Sequence, residues 1–407
     1  MKYVVILGDG MADYPIAALG GKTPLEKAKK PHIDALARLS EVGLCKTVPD
    51  GIKPGSDVAN LSVLGYDPAR YYTGRSPLEA ASIGIALKDT DLTLRANLVT
   101  LSGETSYESM TMEDYSAGEI STKEAKILID YLAGQLGNDK LKLYAGVSYR
   151  HCLVADRGAN DTEFTPPHDI SGKCIAEYLP SGGSAALYIS LMKRSYELLK
   201  DHPLNKQRLR EGKHPANSLW FWGAGRKPAL DSFQSKFGKK GTMISAVDLL
   251  KGIGKLTGMN VPDLRGATGN YHTDFGEKAQ TALRSLDNGS DFCYIHVEAP
   301  DECGHQGDLE HKIYSIEQID EKIVGFLKNE LEKRDEPFSF LIMPDHPTPL
   351  SVRTHVSDPV PYLLYRSDEP VEGSPCYSER AAADTGIFVA HGCDLMKKFL
   401  KLPSVKQ

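Results

Sequence analysis

Several things are scarce in this 407-residue chain, and each scarcity removes a class of protein. No segment reaches the roughly 18 consecutive apolar residues that a membrane-spanning helix needs. The N-terminus, MKYVVILGDG, enters directly as a strand, without the long apolar stretch and small-residue cleavage site of a signal peptide. Positive charge is not in excess: the formal net charge is −6, which argues against nucleic acid as a partner. There is no internal repeat and no low-complexity tract. The seven cysteines are scattered with no C-x-x-C pair, which excludes a zinc ribbon and a disulfide framework. Reduced thiols of this kind suit a cytoplasmic location.

What is present is ordinary globular composition, with 41% hydrophobic and 25% charged residues. A chain this long predicts two domains, or one carrying a large insertion. Three short apolar runs stand out as buried strands: Tyr3–Leu7, Phe292–Val297 and Phe338–Met343. Each opens into a loop rich in acidic or Asp/His residues: GDG, EAPDECGH and PDHPTPLSVRTH. In an open, mostly parallel sheet such loops converge at the carboxyl ends of the strands, where these folds place ligands.

Other elements read as helices. Pro24 opens one after Thr23, Pro31–Val42 continues to a stop at Gly43, and Asp57–Leu64 stops at Gly65. Thr122–Leu136, Lys193–Leu199, Ile244–Ile253 and Leu395–Leu400 follow, with a long amphipathic helix over Leu309–Lys333. Leu78–Ile85 is helical or turn-rich. Leu94–Leu101, Leu141–Tyr144, His151–Ala155, Leu187–Ile189 and Pro361–Tyr365 read as strands. The change in texture sets the domains at 1–88 with 217–407 for the core and 89–216 for an insertion.

The candidate ligands are Asp9, Ser56, Asp301, His305, Asp345, His346 and His355. Asp301 and His305 are four apart, so a helical turn puts both on one face. Mixed carboxylate and imidazole donors suit Mn²⁺, Zn²⁺, Co²⁺ or Fe²⁺ better than Ca²⁺. Seven residues are too many for one ion and divide into two sites. A pair of ions roughly 3.5–4 Å apart suits in-line phosphoryl transfer. Ser56 taken alone is an ordinary helix cap. At a helix start beside metal ligands it is also placed to take a phosphoryl group. Arg75, Arg95, Arg150, His151, Arg157 and Arg226 lie in or beside the insertion, where a guanidinium fork would match phosphate and carboxylate, and Arg75, Arg150, His151 and Arg226 are the leading candidates for holding an anionic substrate.

MKYVVILGDGMAD, PGSDVANLSVLGYDP, TGRSPLEA, EAPDECGHQGDLEHK and PDHPTPLSVRTHVSDPVP together resemble the archaeal-type cofactor-independent phosphoglycerate mutases of the alkaline phosphatase superfamily. The match spans essentially the whole chain. It implies a three-layer α/β core with a mostly parallel sheet and an inserted, smaller α+β cap that closes over the site. It implies that 3-phosphoglycerate and 2-phosphoglycerate interconvert through phosphorylated Ser56. By the same resemblance, Asp301, His305 and His355 hold one divalent ion. Asp9, Ser56, Asp345 and His346 hold the other. The expected metal is Mn²⁺, with Co²⁺, Zn²⁺ or Mg²⁺ as alternatives. Ser76, Leu78 and Pro347 depart from the family pattern near possible substrate contacts. That leaves phosphoryl transfer on homoserine or a phosphosugar as a second reading. A non-catalytic phosphometabolite-binding regulator is a third, against which the intact Ser56 speaks.

Overall fold

The computed structural model describes residues 1–103 and 106–402. It divides into two compact units: Met1–Tyr72 with Ala229–Gln407, and Thr73–Pro228 between them in sequence.

The first unit is built on a seven-stranded sheet. In spatial order its strands are Gly241–Ile244, Phe292–Val297, Lys2–Gly8, Phe338–Met343, Val360–Arg366, Ser40–Cys45 and Phe388–Val389. Only Val360–Arg366 runs against the rest, so the sheet is mixed and mostly parallel, as expected. Both faces are covered, which explains why the central strands are continuous apolar runs instead of alternating ones. On Lys2–Gly8, Val4 and Ile6 face a core shared with Phe275–Asp287 and the Leu309–Glu332 helical segment. Tyr3 faces the other way, edge-on to Phe399 of the helix Gly392–Phe399, with ring centroids 5.5 Å apart. The result is three layers, helix–sheet–helix.

The strand Lys2–Gly8 lies between Phe292–Val297 and Phe338–Met343 and is parallel to both. The three acid-bearing loops therefore leave one end of the sheet side by side.

Three local expectations are corrected, and a fourth gains a detail. The helix from Pro31 ends at Ala37, and Ser40–Cys45 is a strand. The expected helix runs on to Gly43, but pairing with Val360–Arg366 and Phe388–Val389 wins. Gly43 permits that approach, because a Cβ there would press on Ile387. Gly241–Ile244 is the edge strand, and the helix expected from Ile244 starts at Asp248. Leu187–Ile189 belongs to a helix, Ala185–Leu199, whose apolar residues recur at helical spacing. The long segment from Leu309 is helical throughout but widens into a π-turn over Ile319–Gly325. There the Asp320 carboxylate accepts from the His32 and Ile33 backbone amides, and Gly325 leaves room for the His32 ring.

The second unit carries an antiparallel sheet of Thr111–Asp114, Leu92–Ser102, Arg150–Ala155 and Leu141–Val147, with Ser218–Arg226 also pairing along Leu92–Ser102. The helices Thr122–Leu136 and Ala185–Leu199 share its apolar core with Trp220 and Phe221.

Candidate metal and phosphoryl-transfer site

Ser56 is the first residue of the helix Ser56–Val63, and Gly55 occupies the capping position without a side-chain bond. The Ser56 hydroxyl is thus not consumed as a cap. It lies 3.2 Å from His346 Nε2. The strand that leads to it is Ser40–Cys45, and the following loop is anchored where the Thr47 hydroxyl donates to the Asp345 carbonyl.

His346 Nε2 is also 3.5 Å from Asp9 Oδ1 and 3.4 Å from Asp345 Oδ2. All three side chains are buried. Asp301, His305 and His355 gather beside them. His305 Nε2 lies 3.2 Å from Asp301 Oδ2 and 3.0 Å from His355 Nε2, which is 3.5 Å from Asp301 Oδ1. Asp301 and His305 share one face of the helix Ala299–Gln306, as their spacing requires. All seven sequence-derived ligand candidates are therefore neighbours. Two sets have ligand atoms within 4.8 Å of one another: Asp9–Asp345–His346 and Asp301–His346–His355. His346 belongs to both.

The electrostatics describe a site short of positive charge. Burial, then the nearby Asp345 and Asp301 charges, push the Asp9 carboxyl well above the ordinary carboxylate range. Asp9 Oδ1 has no hydrogen-bond partner although it is buried. A buried carboxylate oxygen left unpaired is costly unless a cation meets it. Burial would raise Asp301 as well, but hydrogen bonds from His305 and His355 hold it well below the usual range. His305 is pushed up to about 9, chiefly by its bond to Asp301. Burial lowers His346, keeping the ring neutral and able to offer a lone pair. Clustered carboxylates, neutral imidazoles and an orphaned oxygen fit divalent cations.

The supporting groups escaped the sequence reading. His296 Nε2 lies 2.9 Å from Asp9 Oδ2, and Ser245 Oγ lies 3.3 Å from His296 Nδ1. Asn60 Nδ2 donates to Asp345 Oδ2 at 2.8 Å, and Tyr294 donates its hydroxyl to Asn60 Oδ1 at 2.6 Å. A signal existed: Tyr294 and His296 are alternate polar groups in an otherwise apolar strand, and Asn60 lies one helical turn after Ser56.

With this geometry in view, comparison with known proteins is decisive. A curated 2,3-bisphosphoglycerate-independent phosphoglycerate mutase from Methanosarcina barkeri is 48% identical over 98% of this chain and 100% of that protein. The chain belongs to the 2,3-bisphosphoglycerate-independent phosphoglycerate mutase family. The family's sequence model matches residues 37–205. A probable mutase of the same description from Geobacter sulfurreducens is 48% identical, over 98% of this chain and 100% of that protein. A solved structure from Pyrococcus horikoshii aligns with a TM-score of 0.82 at 30% identity, covering 100% and 99% of the two chains. The cofactor-independent phosphoglycerate mutase of Thermoplasma acidophilum aligns at 0.66 and 25% identity, covering 98% and 99%.

The four leading arginine and histidine candidates for substrate binding lie in the second unit. Arg226 spends its fork on the Thr90 and Gly158 carbonyls, both at 2.6 Å. Arg75 Nε lies 2.9 Å from Glu79 Oε1. Arg150 is exposed and sits over the Tyr149 ring. His151 is buried: its Nδ1 accepts from the Gly146 amide at 3.1 Å, and its Nε2 has no partner. Arg95, also among the insertion's arginines noted in the sequence, is buried against the Trp222 ring and pairs with Glu79.

Proposed function

We propose that this chain interconverts 3-phosphoglycerate and 2-phosphoglycerate by passing the phosphoryl group through Ser56 at a two-metal site. The phosphoglycerate mutase activity follows from the family, and the enzyme is an isomerase. The observation that carries the serine route is the Ser56 hydroxyl, uncapped, 3.2 Å from His346 Nε2, at the start of a helix.

Ser56 Oγ attacks the substrate phosphorus. The bond from phosphorus to the glycerate oxygen breaks as the bond to Oγ forms, and the proton leaving the Ser56 hydroxyl ends on that glycerate oxygen. The glycerate turns, and its other hydroxyl attacks phosphoserine in the reverse sense, so one difficult transfer becomes two similar ones. Backbone amides at the helix start favour the anionic phosphoryl group. Asp301, His305 and His355 would hold one divalent ion, and Asp9, Ser56, Asp345 and His346 the other. When bound, such ions neutralise phosphoryl charge and favour the serine alkoxide, and Mn²⁺ fits this donor set. In the second unit, Arg150, His151 and Arg75 remain the candidates for the substrate's phosphate and carboxylate. Arg226 is already committed to carbonyls. A cytoplasmic setting is supported by seven free cysteines. Among the described residues no helix is long and apolar enough to cross a membrane.

The test is direct. Purified protein with Mn²⁺ and 3-phosphoglycerate, without 2,3-bisphosphoglycerate, should yield 2-phosphoglycerate in an enolase-coupled assay. Ser56→Ala should abolish turnover and keep part of the metal binding. Residual activity beyond a trace in that variant would refute the phosphoserine route. Net phosphate release, or ATP-dependent phosphorylation of homoserine, would favour the other substrate readings.

A further inference from the structure

Thr348, two residues beyond His346, is fully buried between the two groups of candidate ligands. Its hydroxyl donates to Asp301 Oδ1. The same oxygen lies 3.3 Å from His346 Nδ1. A threonine hydroxyl has one proton, and an ionised carboxylate can only accept. With its one proton directed to Asp301, Thr348 Oγ1 must accept from His346 Nδ1–H. A neutral imidazole protonated at Nδ1 carries its lone pair on Nε2. Nε2 is the atom that faces Ser56 Oγ, Asp9 Oδ1 and Asp345 Oδ2.

We infer that Thr348 is a positioning residue: it fixes His346 as the Nδ1–H tautomer and ties it to Asp301, coupling the two ligand groups. Its metal-binding consequence rests on the two-metal reading above; the tautomer does not.

Thr348 is itself held tightly. Its carbonyl accepts from Lys312 Nζ at 2.8 Å, and Lys312 forms a buried pair with Asp13 Oδ2 at 2.7 Å. The Asp13 carboxylate also accepts from the Leu350 amide. A Cβ at Gly304 would collide with the Thr348 carbonyl, and one at Gly10 would collide with Oγ1. Gly10 adopts φ +60°, a conformation suited to glycine. The loops after Lys2–Gly8 and Phe338–Met343 and the helix Ala299–Gln306 thus close on one hydroxyl. Second partners of this kind orient metal ligands and typically matter 10–100-fold in affinity or activity.

The experiment compares wild type, Thr348→Ser and Thr348→Val. Long-range ¹H–¹⁵N spectra of the metal-free proteins report which nitrogen of His346 carries the proton. Calorimetry gives Mn²⁺ affinity, and the enolase-coupled assay gives kcat and KM. Wild type and Thr348→Ser should show Nδ1–H and agree within about threefold in affinity. Thr348→Val should show a mixture of tautomers, bind Mn²⁺ about tenfold or more weakly, and lose kcat with KM little changed. If Thr348→Val does not fold, Thr348→Ala removes the same hydroxyl. Unchanged tautomer and affinity in the valine or alanine variant would overturn the inference, as would Thr348→Ser failing in the same way. Wild type showing no Mn²⁺ binding would instead overturn the two-metal reading, and the spectra would still decide the role of Thr348.

Discussion

His296, on the strand Phe292–Val297, and Asp9, just past the adjacent parallel strand Lys2–Gly8, meet at 2.9 Å, Nε2 to Oδ2, and neither side chain reaches solvent. Burial pushes His296 down to about 3, so the ring stays neutral and can donate from Nε2 across the working pH range. This one bond holds one oxygen of Asp9 and leaves the other, Oδ1, directed at His346. His296→Phe should therefore weaken metal binding about 10–100-fold and reduce kcat to match. Calorimetric titration with Mn²⁺ checks it; affinity within threefold of wild type would remove His296 from this role.

Tyr294 offers a separate test. Its hydroxyl orients Asn60, which in turn holds Asp345 Oδ2 and the Ser56 carbonyl. Tyr294→Phe leaves Asn60 Oδ1 buried without a donor, costing about 1–3 kcal/mol of stability. Denaturant unfolding should show that loss, and the coupled assay should show a fall in kcat larger than any change in KM.

Removal of metal should destabilise the first unit. Asp9, Asp345 and Asp301 repel one another when no cation is bound, and this repulsion adds to burial in raising the Asp9 carboxyl. Returning Mn²⁺ at 100 times its Kd to chelator-treated protein should add about 2.7 kcal/mol per site. Thermal melts should rise by about 5–11 °C for each site filled, at roughly 2–4 °C per kcal/mol for a unit of this size. An unchanged melt on adding Mn²⁺ would count against the two-metal reading.

The pH dependence of stability has an identifiable contributor away from the site. Glu379 accepts from Thr23 Oγ1 at 2.7 Å and from the Asp13 amide at 3.1 Å. Burial nevertheless pushes it up to about 7 from an ordinary 4.5. The folded state then binds more protons than the unfolded state between those values. Its contribution is present in full below pH 4.5 and is lost as pH rises towards 7. Glu379→Gln should remove this slope. The difference in melting temperature, wild type minus variant, should fall between pH 5 and 7.5; a constant difference would show that Glu379 titrates normally.

Much of the core was legible because its signals are local. Buried strands announce themselves as apolar runs, so Phe292–Val297 and Phe338–Met343 have the expected limits. Helix spacing paired Asp301 with His305, and the Asp-His doublet stood out beside a strand. Ser40–Cys45 was not legible, since its partners lie some 320 residues later and nothing nearby forbids helix. Arg226 looked like any other cation, and only its two carbonyl partners reveal where its donors go.

The sequence alone determined the ligand types, the three strand-to-loop junctions that carry them and the family to which the chain belongs. These are properties of residue identity and short-range period. The tertiary structure decided that His346 stands between the two ligand groups, which ring nitrogen it presents to Asp9, Asp345 and Ser56, and which buried groups hold each carboxylate. Those outcomes depend on bonds between residues as far apart as Asp9 and His296, or Asn60 and Asp345, separated by 287 and 285 positions. No periodicity spans such distances; only the packed sheet brings those atoms within hydrogen-bond reach.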